Sequence, residues 1–69
     1  MKPIATIKFQ EVETGEECVA IVRAAPGSIA IALSRKSDGD VEVVLTTVEA
    51  REVARALSAA LGEAERAAE

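Results

Sequence analysis

The hydrophobic pattern of this chain changes its period once, at the segment Thr46-Thr47-Val48-Glu49. Before this segment apolar residues tend to alternate along the chain, which is the period of a β-strand. After it they recur every three to four residues, as on one face of a helix. The segment itself has the S/T-x-x-E pattern of a capping box, in which a hydroxyl and a carboxylate bind free amides at a helix start. The pattern therefore predicts a β-sheet followed by one helix.

Four strands are predicted in the first two thirds of the chain, over residues 4–12, 17–24, 28–35 and 40–46. Turn-forming residues separate them, among them Gly15, the pair Pro26-Gly27, and Gly39. All three connections are short enough for hairpins, so we expect an antiparallel meander. The predicted fold class is α+β: a four-stranded antiparallel β-meander followed by one C-terminal helix packed on one face of the sheet. Residues 1–69 are expected to form a single domain.

The spacing of the last two strands predicts their register. Their alternating apolar residues are Ile29, Ile31 and Leu33, and then Val41, Val43 and Leu45. These two sets share a face of the sheet only if the connecting loop has an odd number of residues. A three-residue loop, Ser37-Asp38-Gly39, meets this condition if Gly39 adopts the left-handed conformation. It would place Leu33 opposite Val43.

The helix is predicted over residues 47–61. Val53, Leu57 and Leu61 follow one another at four-residue spacing, and this stripe is suited to packing across one face of the sheet. Gly62 could end the helix. Residues 63–68 favour a helix equally well, so we prefer continuation to about residue 67.

The chain is short for a protein that has to bury its own core. Folds of this size often depend on disulfides, a metal ion or a second subunit. Cys18 is the only cysteine and there is no histidine, so the chain can form neither an internal disulfide nor a zinc site with the usual soft ligands. Fourteen residues are alanine, which adds little to a core. A homo-oligomer, dimer or tetramer, is therefore predicted.

The sheet face turned away from the helix is the predicted oligomer surface. If Ile29, Ile31 and Leu33 face the helix, Ala30 and Ala32 face outward, with Val44 beside Ala32 in the register above. Exposed apolar patches of this kind usually mark an interface. An alanine-rich solvent face is the simpler alternative, and contact through a sheet edge or the helix is another. The second strand is apolar on both sides, and its orientation stays open.

No catalytic, cofactor-binding or metal-ligating residues are assigned, and an enzyme is not predicted. Asp38, Asp40, Glu42 and Glu49 match four positions of a calcium loop, but Val43 stands where that loop requires glycine. Ser34 has no histidine to serve as its base. Cys18 lies in an apolar strand, where cysteine usually behaves as a small buried hydrophobe.

The charge and hydropathy of the chain argue against a membrane or a polyanion as its partner. The net charge is −4, which disfavours attraction to phosphate backbones and anionic lipid. No apolar run approaches the roughly 18 to 20 residues that a membrane span needs, and residues 1–4 lead directly into a strand without a signal-peptide core. We expect a soluble, cytoplasmic protein.

A set of cations could nevertheless contact a nucleic acid. The candidates on or near the strands are Lys8, Arg23, Arg35 and Lys36. The predicted element order is similar in outline to the small dimeric coactivator-like proteins of the PC4 and Whirly type, whose curved sheets bind single strands. This resemblance is one of topology, without a shared motif. The chain departs from it because Phe9 is the only aromatic residue available for base stacking and the net charge is negative.

The predicted function is that of a small oligomeric protein-interaction or accessory module. This class includes a regulatory role, and a heterologous protein is expected as a further partner. The alternative is a single-stranded nucleic-acid-binding module with a PC4/Whirly-like topology. A third class is an enzyme whose site forms between protomers.

Overall fold

The strands and the helix follow one another in the predicted order. The computed structural model describes the backbone of residues 1–68 and the side chains of residues 1–66. Strand β1 covers Lys2–Gln10, β2 covers Glu17–Ala25, β3 covers Ser28–Arg35 and β4 covers Gly39–Thr46, and helix α1 covers Thr47–Ala68. The strands form one sheet in the order β1-β2-β3-β4, with every neighbouring pair antiparallel. The predicted ββββα fold class is confirmed.

Strand β1 ends two residues earlier than predicted, because residues 11–16 form a closed loop. The Glu11 N–H donates to the Glu16 carbonyl at 2.9 Å, and the Gly15 N–H donates to the Glu11 carbonyl at 2.8 Å. These bonds leave Val12 outside the sheet and almost completely exposed. At its other end β1 extends to Lys2, with a register shift just after Pro3. The shift lies beside a proline, a residue that cannot donate to a strand ladder.

The second hairpin has a two-residue loop, which settles the orientation of β2. Ala25 pairs with Ser28, so Pro26 and Gly27 are the central residues of the turn. Gly27 has a φ of 81°, the positive value that the second central position of a type II turn requires. The even-numbered residues of β2 consequently share a face with the odd-numbered residues of β3.

The third hairpin has the predicted loop length but a different register. Arg35 pairs with Gly39, so the loop is residues 36–38 and Leu33 lies opposite Val41. The prediction that Leu33 faces Val43 is wrong by two residues, because the turn closes one residue earlier. The Asp38 N–H donates to the Arg35 carbonyl at 3.2 Å, and the Arg35 guanidinium donates to the Asp38 carboxylate at 2.6 Å. The predicted left-handed conformation of Gly39 is confirmed, with a φ of 79°.

The predicted capping box joins β4 directly to the helix. The Thr46 N–H donates to the Glu49 carboxylate at 3.0 Å, and the Glu49 N–H donates to the Thr46 hydroxyl at 3.2 Å. Strand β4 ends at Thr46 and α1 begins at Thr47, so no linker residue separates the two. The paired bonds satisfy two amide groups at the point where the strand ends and the helix begins.

Helix α1 continues past Gly62 to Ala68, which confirms the longer of the two predicted lengths. It packs on the sheet where it approaches β4 and β3. Ala50 is the one half-buried residue among helix positions 47–66, and the others are exposed. The helix therefore meets the sheet through its first turn, and most of its length lies free of the strands of its own chain.

Candidate oligomer interface

One face of the sheet is apolar across almost its whole area. We call it the isoleucine face, and the strand register assigns to it the following residues: Ala5, Ile7, Phe9, Cys18, Ala20, Val22, Ala24, Ile29, Ile31, Leu33, Val41, Val43 and Leu45. Two successive cross-strand rows, those through Leu33 and Ile31, contain no polar residue. Polar side chains appear on this face only at its ends, where Arg35 and Lys2 lie.

The isoleucine face is uncovered. Five of its large side chains, at Ile7, Phe9, Leu33, Val41 and Val43, are between 43% and 64% exposed. A shallow depression at one end is lined by Phe9, Cys18, Leu33 and Val41 and belongs to the same surface. The condition that Leu33 faces the helix is not met, because the helix positions after Ala50 are exposed and lie free of the sheet. An exposed apolar surface this continuous is typical of an interface.

The chain lacks a core of its own in the part that the structure describes. Its buried apolar residues are Cys18 and Ala30, and no large side chain there is fully buried. The accessible surface is 5504 Å². A compact monomer of 7.2 kDa exposes about 4,100 Å². The chain therefore carries about 1,400 Å² of surface beyond that of a self-sufficient domain of the same mass.

The helix carries a second uncovered apolar surface. We call Val53, Leu57 and Leu61 the leucine stripe, and their side chains are 38%, 65% and 59% exposed. At 100° per residue, the stripe and Ala50, Ala54, Ala60 and Ala64 lie within an arc of about 120°. The charged residues from Arg51 to Arg66 lie outside this arc. The stripe that the sequence predicts to cover the sheet is thus present, but it does not reach the sheet of its own chain.

The opposite sheet face holds the predicted oligomer residues Ala30, Ala32 and Val44. We call it the alanine face. Ala30 is 1% exposed, Ala32 is half-buried and Val44 is 58% exposed. The expected contact between Val44 and Ala32 is wrong, because the two-residue change in register pairs Val44 with Ala30 and Glu42 with Ala32.

The alanine face is interrupted by charge, unlike the isoleucine face. Each of its main cross-strand rows contains a polar residue, and Arg23 forms an ion pair with Glu42 across β2, β3 and β4. Such alternation is typical of the solvated side of an antiparallel sheet. The assignment of the alanine face to the oligomer contact stays a prediction, and its premise, a helix over the isoleucine face, does not hold.

The predicted nucleic-acid contacts do not form one surface. Lys8 and Arg23 lie on the alanine face, Arg35 belongs to the isoleucine face, and Lys36 lies in the turn that follows β3. Arg23 is paired with Glu42. The cations are therefore divided between two sides of the sheet, and the two arginines among them are compensated by carboxylates.

Arg35 is the centre of a cluster of charges that the sequence analysis did not identify. Its guanidinium binds the carboxylates of Glu11 at 2.9 Å and Asp38 at 2.6 Å, with Glu16 at 3.7 Å. Asp38 and Glu11 raise the pKa of Arg35 above its usual value. The cluster ties the 11–16 loop to the β3–β4 turn. Its only signal in the sequence is the three-residue spacing of Arg35 and Asp38.

The remaining candidate residues lie in ordinary structural positions. The thiol of Cys18 is buried and lies 3.6 Å from the Glu16 carbonyl. Ser34 lies on the alanine face, half-buried in β3. Within residues 1–68 no three or more His, Cys, Asp or Glu side chains come together as metal ligands. This part of the chain also contains no helix with the length and apolarity to cross a membrane.

Comparison of the chain with protein-family models, with curated proteins and with solved structures gives no match.

Proposed function

We propose that this chain is the protomer of a small homo-oligomeric interaction module, and that its copies associate through the isoleucine face. The observation that carries the proposal is the uncovered state of that face, whose two central rows contain only apolar residues. Apolar burial is the main favourable contribution to folding. This chain leaves these side chains in water. It gains the favourable free energy of burying them only when a partner covers them.

The surface area supports an extensive contact. The excess of about 1,400 Å² per copy exceeds the roughly 800 Å² that each partner contributes to a standard interface. Two copies that covered this excess would bury about 2,800 Å², which lies in the range of obligate homodimers. A dimer is the smallest assembly that meets this requirement.

Association would leave the alanine face and the charged outer side of the helix in solvent. These surfaces carry both signs of charge and the Arg23–Glu42 pair. We propose that they are the places where a heterologous protein would meet the module in an accessory or regulatory role. The single unpaired cysteine further supports a cytoplasmic location. No enzymatic activity is proposed.

The direct test is the mass in solution, measured by light scattering over a dilution series with circular dichroism at each concentration. We expect twice the 7.2 kDa chain mass or a larger multiple. On sufficient dilution the mass and the helical signal should fall together, because each copy depends on the other for its core. A well-folded monomer at every concentration would contradict the proposal.

The alternative function, binding of single-stranded nucleic acid, has less support. Its four candidate cations lie on different sides of the sheet, and Arg23 and Arg35 are paired with carboxylates. We therefore expect no binding of a fluorescent single-stranded oligonucleotide in an anisotropy titration at low salt. Binding that weakens as salt rises, and that is lost when Lys8 and Arg23 are replaced by Glu, would favour the alternative.

A further inference from the structure

We infer that the leucine stripe of each copy lies on the isoleucine face of a second copy, so that two chains exchange their helices. This inference rests on the proposed homo-oligomer and states which surfaces meet in it. The two surfaces are the large uncovered apolar areas of the described chain, one on the sheet and one on the helix. The apolar face of a sheet and the apolar stripe of a helix normally pack against each other in small domains.

The connection between β4 and α1 is direct, and beyond its first turn the helix does not cover the sheet of its own chain. Thr46 is both the last strand residue and the cap of the helix, and it exchanges two hydrogen bonds with Glu49. The stripe and the isoleucine face belong to one chain, yet both stay exposed in it. The partner of the stripe therefore lies outside the chain that carries it.

Helix exchange covers more apolar surface than direct contact between two sheets. If two isoleucine faces packed against each other, both leucine stripes would remain in water. When each stripe packs on the other copy's sheet, both surfaces of both copies are covered in one arrangement. A two-fold axis produces this pairing, since every contact from helix to sheet is then repeated in reverse.

The dimensions of the two elements are compatible. A 22-residue helix is about 33 Å long. Strands of eight or nine residues span about 26 to 31 Å. The apolar arc from Ala50 to Ala64 spans about 21 Å, so it covers most of the length of a partner strand, and its alanines allow a close approach. Its charged residues lie outside the apolar arc and stay in solvent.

Cross-linking of differently labelled copies tests the arrangement. Two forms of the full chain are made in a Cys18→Ala background, one with Leu57→Cys and the other with Val43→Cys and a mass tag. They are unfolded, mixed, refolded and treated with a short bismaleimide, and the products are separated by denaturing electrophoresis. The same mixture is measured by light scattering before cross-linking. A matched mixture replaces Leu57→Cys with Ser58→Cys, which lies on the charged side of the helix.

We expect a product that joins one tagged and one untagged chain, and its loss in the Ser58→Cys mixture. An oligomer in which Leu57→Cys copies join only to one another, or in which no mixed product forms, would overturn helix exchange and leave the homo-oligomer standing. Equal mixed product with Leu57→Cys and Ser58→Cys would likewise overturn it. A monomeric mass in the unsubstituted chain would overturn both proposals.

Discussion

Replacing Val43 by Glu is expected to dissociate the oligomer and unfold most of the protein. Val43 lies in a row of the isoleucine face that contains only apolar residues, and it has no basic side chain opposite it in the strand register. An unpaired charge buried in a contact costs about 3 to 5 kcal/mol. A two-fold dimer contains the substitution twice, so association should weaken by about four to seven orders of magnitude. Light scattering and circular dichroism measure the two losses.

Val44→Glu is the matched control for this experiment. The two valines are neighbours in β4 and are exposed to a similar degree in the single chain, but they lie on opposite faces of the sheet. The control therefore introduces the same charge and makes the same change in strand propensity, but its carboxylate lies outside the proposed contact. We expect it to keep the mass of the unsubstituted protein. If Val44→Glu dissociates the oligomer and Val43→Glu does not, the contact lies on the alanine face.

Leu57→Glu is expected to have an effect of similar size from the other side of the contact. Leu57 is the central residue of the leucine stripe and is 65% exposed in the single chain, so the substitution should change little if the helix stays in water. In the exchanged dimer it buries a carboxylate against the partner's sheet. The expected result is loss of the oligomeric mass together with loss of cooperative unfolding in urea.

Ser58→Glu provides the comparison for the helix substitution. It adds the same residue one position along, among the charged side chains of the helix. Its mass and urea midpoint should match those of the unsubstituted protein. Equal masses and midpoints for Leu57→Glu and the unsubstituted chain would show that the stripe takes no part in assembly.

The strand pattern and the turn residues were sufficient to predict the fold class, the capping box and the left-handed Gly39. The register of the last hairpin was not determined by the same information. A shift of two residues keeps every apolar side chain of β4 on its face, so the hydrophobic pattern favours both registers equally. The choice depends on the turn, where the bonds between Arg35 and Asp38 close the loop at residues 36–38.

The surface that the helix covers could not be predicted from the hydrophobic period, for a different reason. The spacing of Val53, Leu57 and Leu61 shows that one side of the helix has to be covered, but it carries no information about which chain supplies the cover. The prediction of the oligomer residues depended on knowing which chain the helix packs on. The prediction of Ala30, Ala32 and Val44 rests on a helix over the other face, and the structure leaves that other face free.

The candidate nucleic-acid residues were separated by strand parity. Arg23 and Arg35 lie on neighbouring strands, and the two-residue turn at Pro26-Gly27 directs them to opposite faces. The sequence alone does not determine the pairing across that turn, so it does not assign the cations to separate faces. Two of their carboxylate partners, Glu42 for Arg23 and Glu11 for Arg35, are distant in sequence and depend on the tertiary arrangement.

The direct junction at Thr46 and Thr47 relates the direction in which the helix side chains point, about the helix axis, to the pleat of the sheet. With no intervening loop, the side of α1 on which the leucine stripe lies follows from the orientation of the last residue of β4. Each residue inserted at this point would rotate the stripe by about 100° about the helix axis, and three or four would bring it back. The length of this junction should therefore tolerate little change.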